Sequence, residues 1–225
     1  MTRTRAHPPA DAPPLAPVER DSGKWKLPAA LGVLLVVIVF GAFLPALGSD
    51  FVRFDDSRFI VENTRVHGLS PQNLAWMPTG MLGGHWHPLT WFSWALDYEL
   101  WGGLRPAGYH FSNLVLHAGG TILVFVLALR LCGLGGLGGV DGERRTRLHV
   151  AAFFAAAVFA VHPLRVESVV WATERRDVLS TVFLLGAVLA YLRSVEPRET
   201  GLRSGVWYLT TLGLLALSLL SKAWG

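Results

Sequence analysis

The chain has 225 residues, 52% hydrophobic and 16% charged, with a mean hydropathy of +0.40, and its apolar residues fall in long blocks of a membrane protein. Its single cysteine, Cys132, excludes an internal disulfide and a cysteine-rich metal site. The net charge of +4 does not point to nucleic acid, because the basic residues sit beside apolar runs, where they govern membrane topology.

Residues 1–26 carry five prolines between Pro8 and Pro17, a composition that cannot bury a core, and are expected to form a disordered cytoplasmic tail. Leu27–Leu47 then runs for 21 apolar residues, enough to cross a hydrocarbon core of roughly 30 Å. It exceeds a signal-peptide core, so it is expected to be an uncleaved anchor despite the small residues at Ala46-Leu47-Gly48. Further spans are expected at His110–Leu131, Leu148–Val161, Val178–Leu192 and Val206–Leu220. The last three are short and need helix to continue into their polar flanks. This gives about five spans in an all-α membrane bundle. With the N-terminus inside, twelve of the twenty basic residues face the cytoplasm, which places 48–109 outside.

In that outer loop Trp91, Trp94, Ala95, Tyr98 and Trp101 recur at helical spacing. The stripe predicts a helix beside the membrane, with its aromatics either at headgroup depth or against the bundle's core. Gly133–Gly142 reads as a flexible connector. It fits neither a P-loop nor a dinucleotide fingerprint, so no nucleotide cofactor is expected.

Polar clusters beside the apolar segments carry the chemistry. Asp55 and Asp56 lie between Phe51-Val52-Arg53-Phe54 and Phe59-Ile60-Val61. Partial desolvation there would raise a carboxylate toward a useful general base, whereas Arg53 and Arg58 would keep it ionised. Asn113 and His117 are four apart and share a helical face, in a pocket or in interhelical hydrogen bonds. Glu167, Trp171 and Glu174 also fall at helical spacing, ahead of Arg175 and Arg176. Two guanidinium groups suit a phosphate, and an ion-pair network with Glu174 and Asp177 is the alternative. His85, His87, His110 and His162 have no motif-grade ligand spacing, so no metal is assigned.

Phe54-Asp55-Asp56 with Ile60 and Asn63, His87-Pro88-Leu89-Thr90, Gly108-Tyr109-His110 with Asn113 and His117, His162-Pro163 with Glu167, and Glu174-Arg175-Arg176-Asp177-Val178-Leu179-Ser180 together resemble the TMTC family. These are transmembrane and tetratricopeptide-repeat O-mannosyltransferases, and the likeness to them and their bacterial relatives covers about residues 30–225. The resemblance implies a GT-C-like transmembrane domain over 27–225, corresponding to the N-terminal part of the family's chain before its repeats. It also implies a polyprenyl-phosphate-linked sugar donor, a hydroxyl-bearing protein or glycan acceptor, and a site on the non-cytoplasmic face of a bacterial inner membrane. Asp55 would be the base and Asp56 its neighbour. Arg175 and Arg176 would hold the donor phosphate, with His87, His110, Asn113, His162, Glu167 and Glu174 as further pocket candidates. The alternative is a truncated, non-catalytic membrane protein acting as an assembly partner.

Overall fold

The computed structural model describes residues 26–134, 142–196 and 201–223. The expected disordered tail, apart from Lys26, and residues 135–141 of the Gly133–Gly142 connector lie outside them. Eight α-helices follow in chain order: α1 (Lys26–Phe43), α2 (Pro71–Trp76), α3 (Pro88–Trp101), α4 (Pro106–Leu134), α5 (Gly142–Val161), α6 (Arg165–Val170), α7 (Arg175–Ser194) and α8 (Leu202–Ser221). No strand occurs among the described residues beyond an isolated bridge between Leu82 and His85.

Among the described residues, four helical stretches are long and apolar enough to cross a membrane: Lys26–Gly48, Pro106–Gly133, Arg175–Ser194 and Leu202–Ser221. The third expected span, Leu148–Val161, lies in α5, which is helical over 20 residues but whose first turns carry Glu143, Arg144, Arg145 and Arg147. Helix continues past the short apolar blocks into their flanks, since Arg and Ser cost a helix little and membrane packing favours internal hydrogen bonding.

Prolines and glycines set the boundaries. Pro45 removes a backbone donor, and α1 tightens into a 3-10 turn over Leu44–Gly48. Pro88 opens α3, and Gly102 closes it in the left-handed conformation at φ 68°, its N–H bonded back to Glu99. Pro163 disfavours helix at His162, so α5 ends at Val161.

The bundle core is built by Leu35, Val39 and Phe43 of α1, Leu114, Ala118 and Phe125 of α4, and Ala152, Ala156 and Ala160 of α5. Alanines on α5 let the three helices approach closely. α7 locks to α8 through Ser218, whose hydroxyl meets Ser180 Oγ at 2.9 Å and donates to Ser180 O at 3.0 Å.

The connection between α1 and α4 forms a lobe of its own, with Phe59, Ile60, Val66, Met77, Trp91, Trp94, Tyr109 and Ala172 as its core. Of the two readings left open for the aromatic stripe, the inward one holds: Trp91 and Trp94 are fully buried, while Phe92, Leu96 and Leu100 face outward. Thr90 Oγ1 donates to Ser221 O at 2.8 Å, pinning the end of α8 to α3. The lobe, the α5–α7 connection and the end of α8 thus gather at one end of the bundle. Arg130 and Glu196 pair at 2.8 Å at the other.

Candidate active site

The two aspartates have opposite environments. They begin a short helical turn that widens into a π-turn over Ser57–Val61, a form often found at functional sites. Asp56 is fully buried. Its Oδ2 accepts from Val52 N at 2.9 Å, and its Oδ1 accepts from Thr173 N at 2.8 Å and from the Thr173 hydroxyl. One donor from its own loop and two from the distant Thr173 make it a clamp, joining the first loop to the segment before α7. Asp55, one residue earlier, is half-buried. Among the described residues it makes no hydrogen bond or ion pair, and it interacts electrostatically with Arg176.

Arg175 and Arg176 diverge as well. Arg175 is 1% exposed. Its Nε donates to Asn113 Oδ1 at 2.7 Å, Nη2 to Tyr109 O at 2.7 Å and Nη1 to Ser93 O at 3.3 Å, and it pairs with Asp97. Asn113 in turn donates to Val169 O at 3.2 Å and Trp171 O at 3.1 Å. This hub ties α3, α4 and α6 to the start of α7. Arg175 is thus turned to protein acceptors, and Asn113 makes the interhelical hydrogen bonds that its spacing left open beside a pocket role. His117, bonded to Ala160 O at 2.8 Å, links α4 to α5 in the same way.

Arg176 belongs to a separate charged cluster. It pairs with Glu174, Lys222 pairs with Asp177 and lies 3.7 Å from Glu174, and Ser168 Oγ donates to Asp177 Oδ2 at 3.1 Å. The network expected as the alternative therefore exists, with Arg175 outside it and Lys222 within it. His87 faces this cluster, with its ring stacked on His85 at a centroid distance of 5.4 Å. Burial, then the charges of Arg176, His85 and Lys222, push its pKa down to about 4. His87 is therefore a neutral hydrogen-bonding group at neutral pH, and its Nδ1 is buried without a partner.

A groove of about 480 Å³ opens at the same end, between the chain after α1 and α6, with Asp50, Phe54, His110, Glu167 and Trp171 among its walls. His110 and Glu167 therefore reach one cavity. His162 does not: it is exposed, and its Nδ1 accepts from Leu164 N at 3.2 Å, shaping the α5–α6 turn. Glu174 serves as the counter-ion of Arg176.

Lys222 was missed as a site residue because it lies 45 positions beyond Asp177. Its only sequence signal is a lone cation just past an apolar segment. No group of three or more metal-ligating side chains occurs among the described residues.

The chain is similar to protein O-mannosyl-transferase TMTC4 of Homo sapiens, 33% identical over 88% of this chain and 27% of that relative. Tmtc1 of Drosophila melanogaster is 37% identical over 73% of this chain and 18% of its own length. TMTC3 of Mus musculus is 33% identical over 85% and 20%. The chain thus spans about a quarter or less of the curated relatives it matches. No family model and no solved structure matches it.

Proposed function

We propose, for a chain that belongs to the TMTC-like family, that the end of the bundle bearing Asp55 is the site of a membrane glycosyltransferase. The relatives are named protein O-mannosyl-transferases, and the reading takes from them transfer of a mannosyl group to a protein hydroxyl. The donor is a polyprenyl-phosphate-linked sugar, and the site opens on the non-cytoplasmic face.

One observation carries the assignment of roles. Of two neighbouring carboxylates, Asp56 is held on three sides, while Asp55 is left without a partner among the described residues, within the field of Arg176. A fixed turn presenting one unengaged carboxylate within the field of a cation suits a general base that works near an anionic leaving group.

Asp55 takes the proton as the acceptor oxygen forms its bond to the anomeric carbon. The bond from that carbon to the phosphate oxygen breaks, and its electron pair leaves with the lipid phosphate. Arg176 and Lys222 offset the growing negative charge, and neutral His87 supplies a hydrogen bond. Arg176 replaces the expected pair of arginines in this role, with Lys222 as its partner. Glu174 and Asp177 hold both cations in place until the phosphate competes for them.

The test is sugar transfer from polyprenyl-phosphate mannose to a threonine peptide by the protein in liposomes. Asp55→Asn is expected to lower turnover at least about a hundredfold, the usual contribution of a general base. Turnover equal to that of the unaltered protein rejects the assignment.

A further inference from the structure

The groove beside Asp55 has a chemistry opposite to that of the charged cluster at the head of α7. Its cavity of about 480 Å³ contains Asp50 and Glu167 but no Lys or Arg among its lining residues. Both acids are exposed, and neither forms an ion pair among the described residues. The rim is apolar: Val52 is 48% exposed, Phe54 70% and Val166 51%. Phe54 and Trp171 form an aromatic wall, with ring centroids 6.1 Å apart.

A buried polar atom inside it lacks a partner. His110 is 1% exposed and its ring lies against the backbone of Ser49 and Val170, while the buried indole Nε1 of Trp171 has no hydrogen-bond partner among the described residues. Buried polar groups are normally satisfied, and an indole N–H without an acceptor in a cavity wall is a place for a ligand's polar atom. Phe54 directly precedes Asp55, so an occupant of the groove lies against the turn that presents the carboxylate.

We propose that this groove is the acceptor subsite, and that it binds an extended peptide whose hydroxyl-bearing residue is flanked by apolar and basic side chains. The inference rests on the transferase reading above and adds to it where the acceptor lies and what it looks like. Apolar walls take the flanking aliphatic groups, Asp50 and Glu167 attract basic ones, and Trp171 bonds the backbone. A glycan would need more polar partners than these walls offer, and a lipid phosphate would meet two carboxylates and no cation.

The experiment measures binding of two fluorescein-labelled peptides to the protein in nanodiscs, by anisotropy. Both hold one threonine among valines; one is flanked by lysines and the other by glutamates. The lysine peptide is expected to bind at least about tenfold more tightly than the glutamate peptide, a difference of about 1.4 kcal/mol. Asp50→Asn with Glu167→Gln should abolish that preference without loss of thermal stability, since both positions are exposed. Trp171→Phe, which keeps the wall and removes the donor, should weaken both peptides.

Equal binding of the two peptides, or a preference that survives removal of both acids, overturns the proposal. So does competition of the lysine peptide by undecaprenyl phosphate, which would give the groove to a lipid chain. The two readings fail separately: peptide selectivity lost with turnover still dependent on Asp55 removes only the subsite, whereas turnover independent of Asp55 removes the transferase.

Discussion

At the scale of single residues, adjacent carboxylates differ because their neighbours differ. Asp56→Asn turns an acceptor of three hydrogen bonds into a group that must place its amide against a backbone N–H. Hydrogen bonds to a charged group are worth about 1.5–3 kcal/mol each, so the loss expected is roughly 3 kcal/mol, read as a lower thermal midpoint in detergent. Asp55→Asn leaves that midpoint unchanged. His87 gives a pH signature. Its folded pKa of about 4 lies below the ordinary value near 6.5, so the unfolded chain takes up the proton first. Stability therefore falls as pH drops from about 6.5 toward 4 and is level above that range. Thermal midpoints at pH 7.5 and 5 should converge in a His87→Gln variant. The sequence made Asp55 and Asp56 visible as a pair but held no sign of which was free, because Thr173, which decides it, lies 117 positions away.

At the scale of elements, the link between α3 and α7 is the enclosed Asp97–Arg175 pair. Removing one partner of a buried pair leaves an uncompensated charge and costs about 3–5 kcal/mol. Asp97→Asn alone should therefore destabilise the protein more than Asp97→Leu combined with Arg175→Met, measured by thermal or denaturant unfolding in the same micelle. Helices were the most legible feature of the chain, since blocks of Leu, Val and Ala declare themselves by composition. Their ends were less so: α4 begins at Pro106, four residues before the apolar run, where proline opens a helix without loss of a hydrogen bond. The inward stripe of α3 and the hub on Arg175 depend on which surfaces meet, which spacing along one helix does not encode.

At the scale of the whole molecule, four segments distant in the sequence meet at one end of the bundle: the Asp55 turn, the His85–His87 loop, the head of α7 and the residue after α8. Cations collect on the α7 side and uncompensated acids along the groove. That separation gives the proposed reaction a donor side and an acceptor side. The resemblance visible in the motifs anticipated the family, and the proposed reaction uses Arg176 with Lys222 where the motifs suggested two arginines. It follows that the base and the phosphate-binding groups act on different steps, so their losses should be separable. The decisive measurement is donor affinity and turnover on the same preparation of Asp55→Asn, alongside Arg176→Gln. The account predicts that Asp55→Asn binds polyprenyl-phosphate mannose within about twofold of the unaltered protein while transferring almost no sugar, and that Arg176→Gln loses donor affinity. Donor binding lost with Asp55 and retained without Arg176 would contradict it.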